Sequence, residues 1–143
     1  MASFTTTIKS SPVLTLATSA YHARLPSVRA LGVDNIKITA TTTGKVPNTS
    51  PTAASSGSDL NGMAAQNAAD QIKDRMADVA AEQFNVPKGE ITFSSNRIYA
   101  GNRSISFAEL AALSWEKRVS LSATGFYRTP KIHWDFASNS GRP

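Results

Sequence analysis

Residues 51–58, Pro-Thr-Ala-Ala-Ser-Ser-Gly-Ser, set the hydroxyls of Thr52, Ser55, Ser56 and Ser58 around two alanines and a glycine. Hydroxyls donate hydrogen bonds to an anion, and small residues let the backbone approach a ligand closely. A helix begins just downstream, and the first turn of a helix carries unpaired N–H groups and a partial positive charge. A phosphorylated ligand suits this combination. Such segments also do no more than cap helices, here with Ser58 as the N-cap and Asp59 in the first turn. The residues alone leave both readings open.

The hydroxyl-rich segment belongs to a longer loop, residues 41–62, with twelve Ser, Thr, Asn or Asp residues and two prolines. Connections inside a compact domain are usually about 4–6 residues long, so this loop exceeds what linking two elements requires. Gly44-Lys45-Val46 has the ending of a nucleotide-binding P-loop. However, Thr39 stands where its first glycine belongs, Val46 replaces Ser/Thr, and no helix follows directly. Other chemistries are excluded more simply. The chain has no cysteine, which removes disulfides, thiolate metal sites, Cys nucleophiles and iron–sulfur ligation. Its two histidines, His22 and His133, are isolated.

The elements that position the loop are legible from periodicity. Asn35–Thr43 alternates Ile36, Ile38 and Ala40 with polar residues, as a half-buried strand does. From Leu60 the period changes: Ala64, Ala68, Ile72, Met76, Ala80 and Phe84 follow at four-residue steps, with Met63 and Val79 widening the stripe. This predicts an amphipathic helix over 59–84 whose outer face carries Asp70, Lys73, Asp74, Asp78 and Glu82. Pro87 and Gly89 close it. Short strands are expected at Ile91–Ser94, Arg97–Tyr99 and Ser104–Phe107, with turns at Ser95-Asn96 and Gly101-Asn102. Ser106 and Glu109 form a capping box that opens a second helix through Trp115. Residues 118–136 return to strand alternation, broken by Gly125 and Pro130. The fold class is α+β: strand, hydroxyl-rich loop, long helix, hairpin, second helix, strand.

The net charge of +5 is unevenly spread. Residues 1–58 carry five Lys/Arg against one acid, residues 59–84 two against five, and residues 85–143 eight against four. No basic stripe with interleaved aromatics appears, which argues against nucleic-acid binding. No apolar run approaches a membrane span, and a cytoplasmic protein is expected. Residues 1–30 are Ser/Thr-rich and contain no acidic residue. That composition is shared by organelle transit peptides and by poorly ordered leaders, and a leader foreign to the fold is expected.

The stretch from Thr41 to Ala68, TTTGKVPNTSPTAASSGSDLNGMAAQNA, closely resembles the molybdopterin-binding portion of the molybdenum hydroxylases, of xanthine dehydrogenase type. The resemblance resumes at RVSLSATGFYRTP and FASNSGRP and covers residues 31–143, a partial molybdopterin-binding domain of the large subunit in bacterial-type enzymes. It implies a molybdenum–molybdopterin cofactor bound by Thr52, Ala53, Ala54, Ser55, Ser56 and Ser58. The Ala54 backbone would lie beside the metal, with no side-chain ligand to it. Ala53 and Ala54 would also floor the substrate pocket, where a larger side chain would collide with a purine. Iron–sulfur centres and FAD are implied only on other domains or subunits, and the partners are those and the remaining large-subunit segments.

The departures from the family are equally specific. The catalytic glutamate belongs to a segment beyond the end of this chain, and the substrate-clamping Glu and Arg to segments before its start. The expected glycine-rich GQG loop is absent from residues 1–30, and Gly57 stands where some relatives carry serine. The chain is therefore expected to be a fragment of a purine-oxidising oxidoreductase, inactive alone. The alternatives are a non-catalytic anion- or partner-binding module, or an inert truncated product. Tyr127 and Arg128 are assigned to folding, and His133 to a surface strand.

Overall fold

The computed structural model describes residues 2–8, 14–16, 36–38, 60–128 and 133–142. In chain order the strands and helices are β1 (Ala2–Ile8), β2 (Leu14–Leu16), β3 (Ile36–Ile38), α1 (Gly62–Phe84), β4 (Ile91–Ser94), β5 (Arg97–Ala100), β6 (Arg103–Ser106), α2 (Phe107–Glu116), β7 (Ser122–Tyr127), β8 (His133–Asp135) and β9 (Ser140–Arg142). This is the α+β order expected, with further strands at both ends. The strand predicted over 35–43 is described at Ile36–Ile38, and residues 39–43 lie outside the described residues.

Four strands form one sheet in the order β3-β2-β1-β7. β1 is antiparallel to both neighbours and registers Ala2 with Tyr127 and Thr7 with Ser122, while β2 and β3 run parallel. Two of these strands fall within residues 1–30, and β1 takes up one edge of β7. α1 lies across β7 and β1. Its inner face buries Ala64, Ala65, Ala68, Ala69, Ile72, Met76, Val79, Ala80 and Phe84. Met63, expected to widen the stripe, is instead exposed.

The two ends of α1 are built differently. The cap position falls on Asn61, not on Ser58. Leu60 and Asn61 form a wide π-type turn before the regular helix, so the first regular turn starts three residues later than Asp59 and holds no acidic residue. At the other end Asn85 adopts the left-handed conformation, φ 53°, and the Asn85 and Val86 amides return to the Glu82 and Ala81 carbonyls at 3.2 and 3.0 Å. That closure ends the helix ahead of Pro87. Arg103 also donates to the Phe84 carbonyl and stands 5.3 Å from the centre of its ring.

β4, β5 and β6 form an antiparallel meander. Its first turn places Ser95 and Asn96 at φ 48° and 62°, the two left-handed residues that a tight hairpin requires. Ile98 from β5 and Phe107 and Leu110 from α2 meet Ile72, Met76 and Phe84 of α1 in one core. The capping box forms as expected: the Glu109 amide donates to Ser106 Oγ at 3.2 Å, and the Ser106 amide donates to Glu109 Oε2 at 2.7 Å.

Gly125 does not break the C-terminal strand; it lies inside β7. A Cβ there would stand 1.8 Å from the Ala64 carbonyl oxygen and 2.6 Å from the Ala68 amide nitrogen. Only a residue without a side chain admits the helix at this distance. Among the described residues, no helix is long and apolar enough to cross a membrane.

Candidate cofactor site

Thr52, Ala53, Ala54, Ser55, Ser56 and Ser58 lie outside the described residues. The structure describes the frame on which their loop ends. α1 begins at Gly62 with Asn61 making no side-chain cap hydrogen bond and with no acid in the first turn. The cap position thus falls on Asn61 and not on the expected Ser58, and the first regular turn holds no acid.

The amino end of α1 is held against the carboxyl end of β7. Leu60 and Tyr127 pack on the fully buried Ala64, which assigns Tyr127 to folding, as expected. One turn further, Asn67 Oδ1 accepts from the Phe126 amide at 3.3 Å. Gln71 Nε2 donates to Asn67 Oδ1 at 3.0 Å and to the Thr124 carbonyl at 3.3 Å. Arg75 Nη1 donates to the Ser120 and Ser122 carbonyls at 2.8 and 3.0 Å. The contacts at Ser122, Thr124 and Phe126 fall on alternate residues of β7, because alternate residues of a strand turn their backbone groups to the same edge, and Ser120 lies just ahead of the strand. The opposite edge is paired with β1. Asn67, Gln71 and Arg75 carried no assignment from the sequence. Their four-residue spacing, matched to a strand with an internal glycine, was the available signal.

The resolved pKa shifts lie elsewhere. Lys88 bridges Asp74 and Asp78 at 2.7 and 2.8 Å, and those hydrogen bonds raise its ammonium above the usual value. The Ser106 hydroxyl and amide lower the Glu109 carboxyl. The Ser138 hydroxyl and Ala137 amide lower that of Asp135. Asp74 and Lys88 line a shallow groove of about 540 Å3 along the outer face of α1, where Lys73 stands 5.6 Å from the Phe93 ring centre. Among the described residues, no group of three or more His, Asp or Glu is placed to hold a metal ion.

The chain belongs to the molybdopterin cofactor-binding domain family, whose model matches residues 19–143, beginning ahead of the boundary expected at residue 31. It is 45% identical over 107 residues to xanthine dehydrogenase of Calliphora vicina, covering 75% of this chain and 6% of that protein. With the xanthine dehydrogenase/oxidase of Gallus gallus it shares 39% identity over 126 residues, 85% of this chain and 8% of the relative. The chain thus spans a small fraction of the curated relatives it matches.

Solved structures show the same fold. A Cu,Mo-CO dehydrogenase superposes with a TM-score of 0.73 at 22% identity, over 90% of this chain and 18% of that one. Quinoline 2-oxidoreductase from Pseudomonas putida 86 gives 0.70 at 17% identity, over 98% and 22%.

Proposed function

We propose that this chain supplies one wall of the molybdopterin and substrate site of a cytoplasmic molybdenum-dependent oxidoreductase that hydroxylates a purine of the xanthine type. The family match across residues 19–143 carries this reading. The hydroxyl-rich segment just ahead of the amino end of α1 supports it, because the amino end of a helix favours anions. In this reading Thr52, Ser55, Ser56 and Ser58 donate to the pterin or its phosphate. Ala53 and Ala54 keep the backbone close and leave room for the substrate. When bound, the cofactor supplies the redox centre that takes electrons from the purine. The chain's own residues bind and orient it.

The remaining large-subunit segments and an iron–sulfur/flavin subunit or domain complete the enzyme. Trp115, 72% exposed, and Phe136, 87% exposed, support a chain that packs against further protein. In this reading the chain acts together with those segments and not alone. A single wall offers a few hydrogen bonds of about 1 kcal/mol net each, too little to offset immobilising a cofactor that relatives enclose from several sides.

Metal analysis and mass spectrometry of the purified chain test this. We expect no stoichiometric molybdenum and no xanthine oxidation, and stoichiometric molybdenum overturns the one-wall reading. In an intact relative, a bulky residue at the position matching Ala54 is expected to abolish turnover. Full turnover there returns the loop to a helix-capping role.

A further inference from the structure

We infer that Asn67, Gln71, Arg75 and Gly125 are positioning residues: together they set one longitudinal register of α1 on β7, and hence the point to which the hydroxyl-rich loop delivers the helix's first turn. The functional meaning rests on the cofactor-wall reading; the geometry does not.

The first argument is a match of repeats. Four residues of helix rise about 6 Å, and two residues of strand rise roughly 6.6–6.8 Å. Side chains at 67, 71 and 75 can therefore meet alternate strand residues in succession when helix and strand run in opposite directions. They do so: Asn67 meets Phe126, Gln71 meets Thr124, and Arg75 meets Ser122 and Ser120. The mismatch of under 1 Å per step is absorbed by Arg75, the longest of the three, which reaches two carbonyls.

The second argument is the notch at Gly125, which selects the same register independently. Its missing side chain faces the Ala64 carbonyl and the Ala68 amide, and Ala64, Ala65, Ala68 and Ala69 are all buried there. Sliding α1 one step toward its carboxyl end would bring Met63 to the Phe126 amide, and a thioether is only a weak acceptor. Sliding it one step the other way would bring Val79, which has no donor, to the Ser122 carbonyl. It would also carry Ile72 to the close approach at Gly125. Either slip breaks a polar contact, and the second also crowds the notch.

The test uses the full chain. It contains no cysteine, so spin labels at Met63→Cys and Arg128→Cys report one distance across the junction. Amide exchange at Phe126 reads the ladder directly. In Asn67→Leu with Arg75→Met, both at positions not required for the core, we expect a broadened or shifted distance. Phe126 exchange should accelerate about fivefold or more, the factor that losing one net hydrogen bond implies. Asn67→Asp keeps the acceptor and is expected to retain the parent distance and exchange rate, which a general destabilisation at this position would not produce. Gly125→Ala is expected to displace the mean distance; should it fail to fold, the Asn67 variants still decide. Unchanged distance and exchange in the double variant, or loss of both in Asn67→Asp, overturns the assignment. Neither readout involves the cofactor, so either result leaves the one-wall reading to its own metal analysis.

Discussion

One helix packs in two ways along its length. The carboxyl half of α1 contributes Met76 and Phe84 to a core shared with Ile98, Phe107 and Leu110, where large side chains interlock. The amino half presents alanines to Gly125 and meets β7 backbone to backbone. Beside the alanines, Asn67 and Gln71 make polar, directional contacts to Phe126 and Thr124, and Arg75, just past the middle of the helix, continues them to Ser122 and Ser120. Hydrophobic burial scales with the apolar area removed from water, so the carboxyl half supplies most of the stability. Alanine contacts stabilise less but fix position closely, because a backbone notch tolerates no slip. The half that anchors and the half that aims are distinct, and the hydroxyl-rich loop enters at the one that aims.

The strongest way to break this comparison is to delete residues 1–30. β1 lies between β2 and β7, and its removal unpairs the edge of β7 that carries Ala123, Gly125 and Tyr127, registered with Thr6, Phe4 and Ala2. We expect exchange protection at these three amides to collapse and the label distance at the amino end of α1 to broaden, with α2 unaffected. A leader foreign to the fold instead predicts unchanged circular dichroism per residue and intact protection in β7. Amide exchange on the truncated chain separates the two outcomes.

Next in size is Leu110→Ala, which empties a fully buried position of α2 in the core that the anchoring half of α1 shares. Large-to-small changes of this kind cost about 2–5 kcal/mol. Denaturant unfolding should show a loss in that range while the register at Asn67 and Phe126 holds in the protein that remains folded. Equal loss of register and stability would show that the two halves of α1 act as one.

The sequence revealed local devices better than distant ones. Ser106 and Glu109 are three residues apart, and their capping box formed as read. The Ser95-Asn96 turn and the stripe from Ala64 to Phe84 were legible for the same reason: each signal lies within a few residues of its effect. Gly125 read as a strand break because the atom that demands a glycine belongs to Ala64, far away in sequence. Asn67, Gln71 and Arg75 went unassigned because their acceptors and donor lie on or just ahead of β7, far away in sequence. Met63 kept the helical period yet is exposed. Thr52 to Ser58 were read from physical suitability and from resemblance, and the structure adds the frame behind them. The start of the helix at Asn61 and Gly62 was hidden by the stronger capping propensity of Ser58.

The smallest expected effect is a pH dependence confined to the anchoring half. The Ser106 hydroxyl and amide hold the Glu109 carboxyl below its ordinary value of 4.5. A carboxyl whose folded pKa is depressed contributes stability that is fully present above its unfolded value. That contribution is lost as the pH falls through the folded value. Thermal melting of the chain should therefore weaken as the pH drops below about 4.5, and Glu109→Gln should remove that part of the slope. Ser106→Ala should lower stability by about 1 kcal/mol through loss of the cap and flatten the same slope, since the charge it stabilises loses its donor. Throughout this titration the Asn67–Phe126 contact should hold, because none of the groups that build it ionises in this range. A Phe126 amide whose exchange tracks the protonation of Glu109 would mean that the core end of α1 transmits its state to the loop end. The division between anchoring and aiming would then fail.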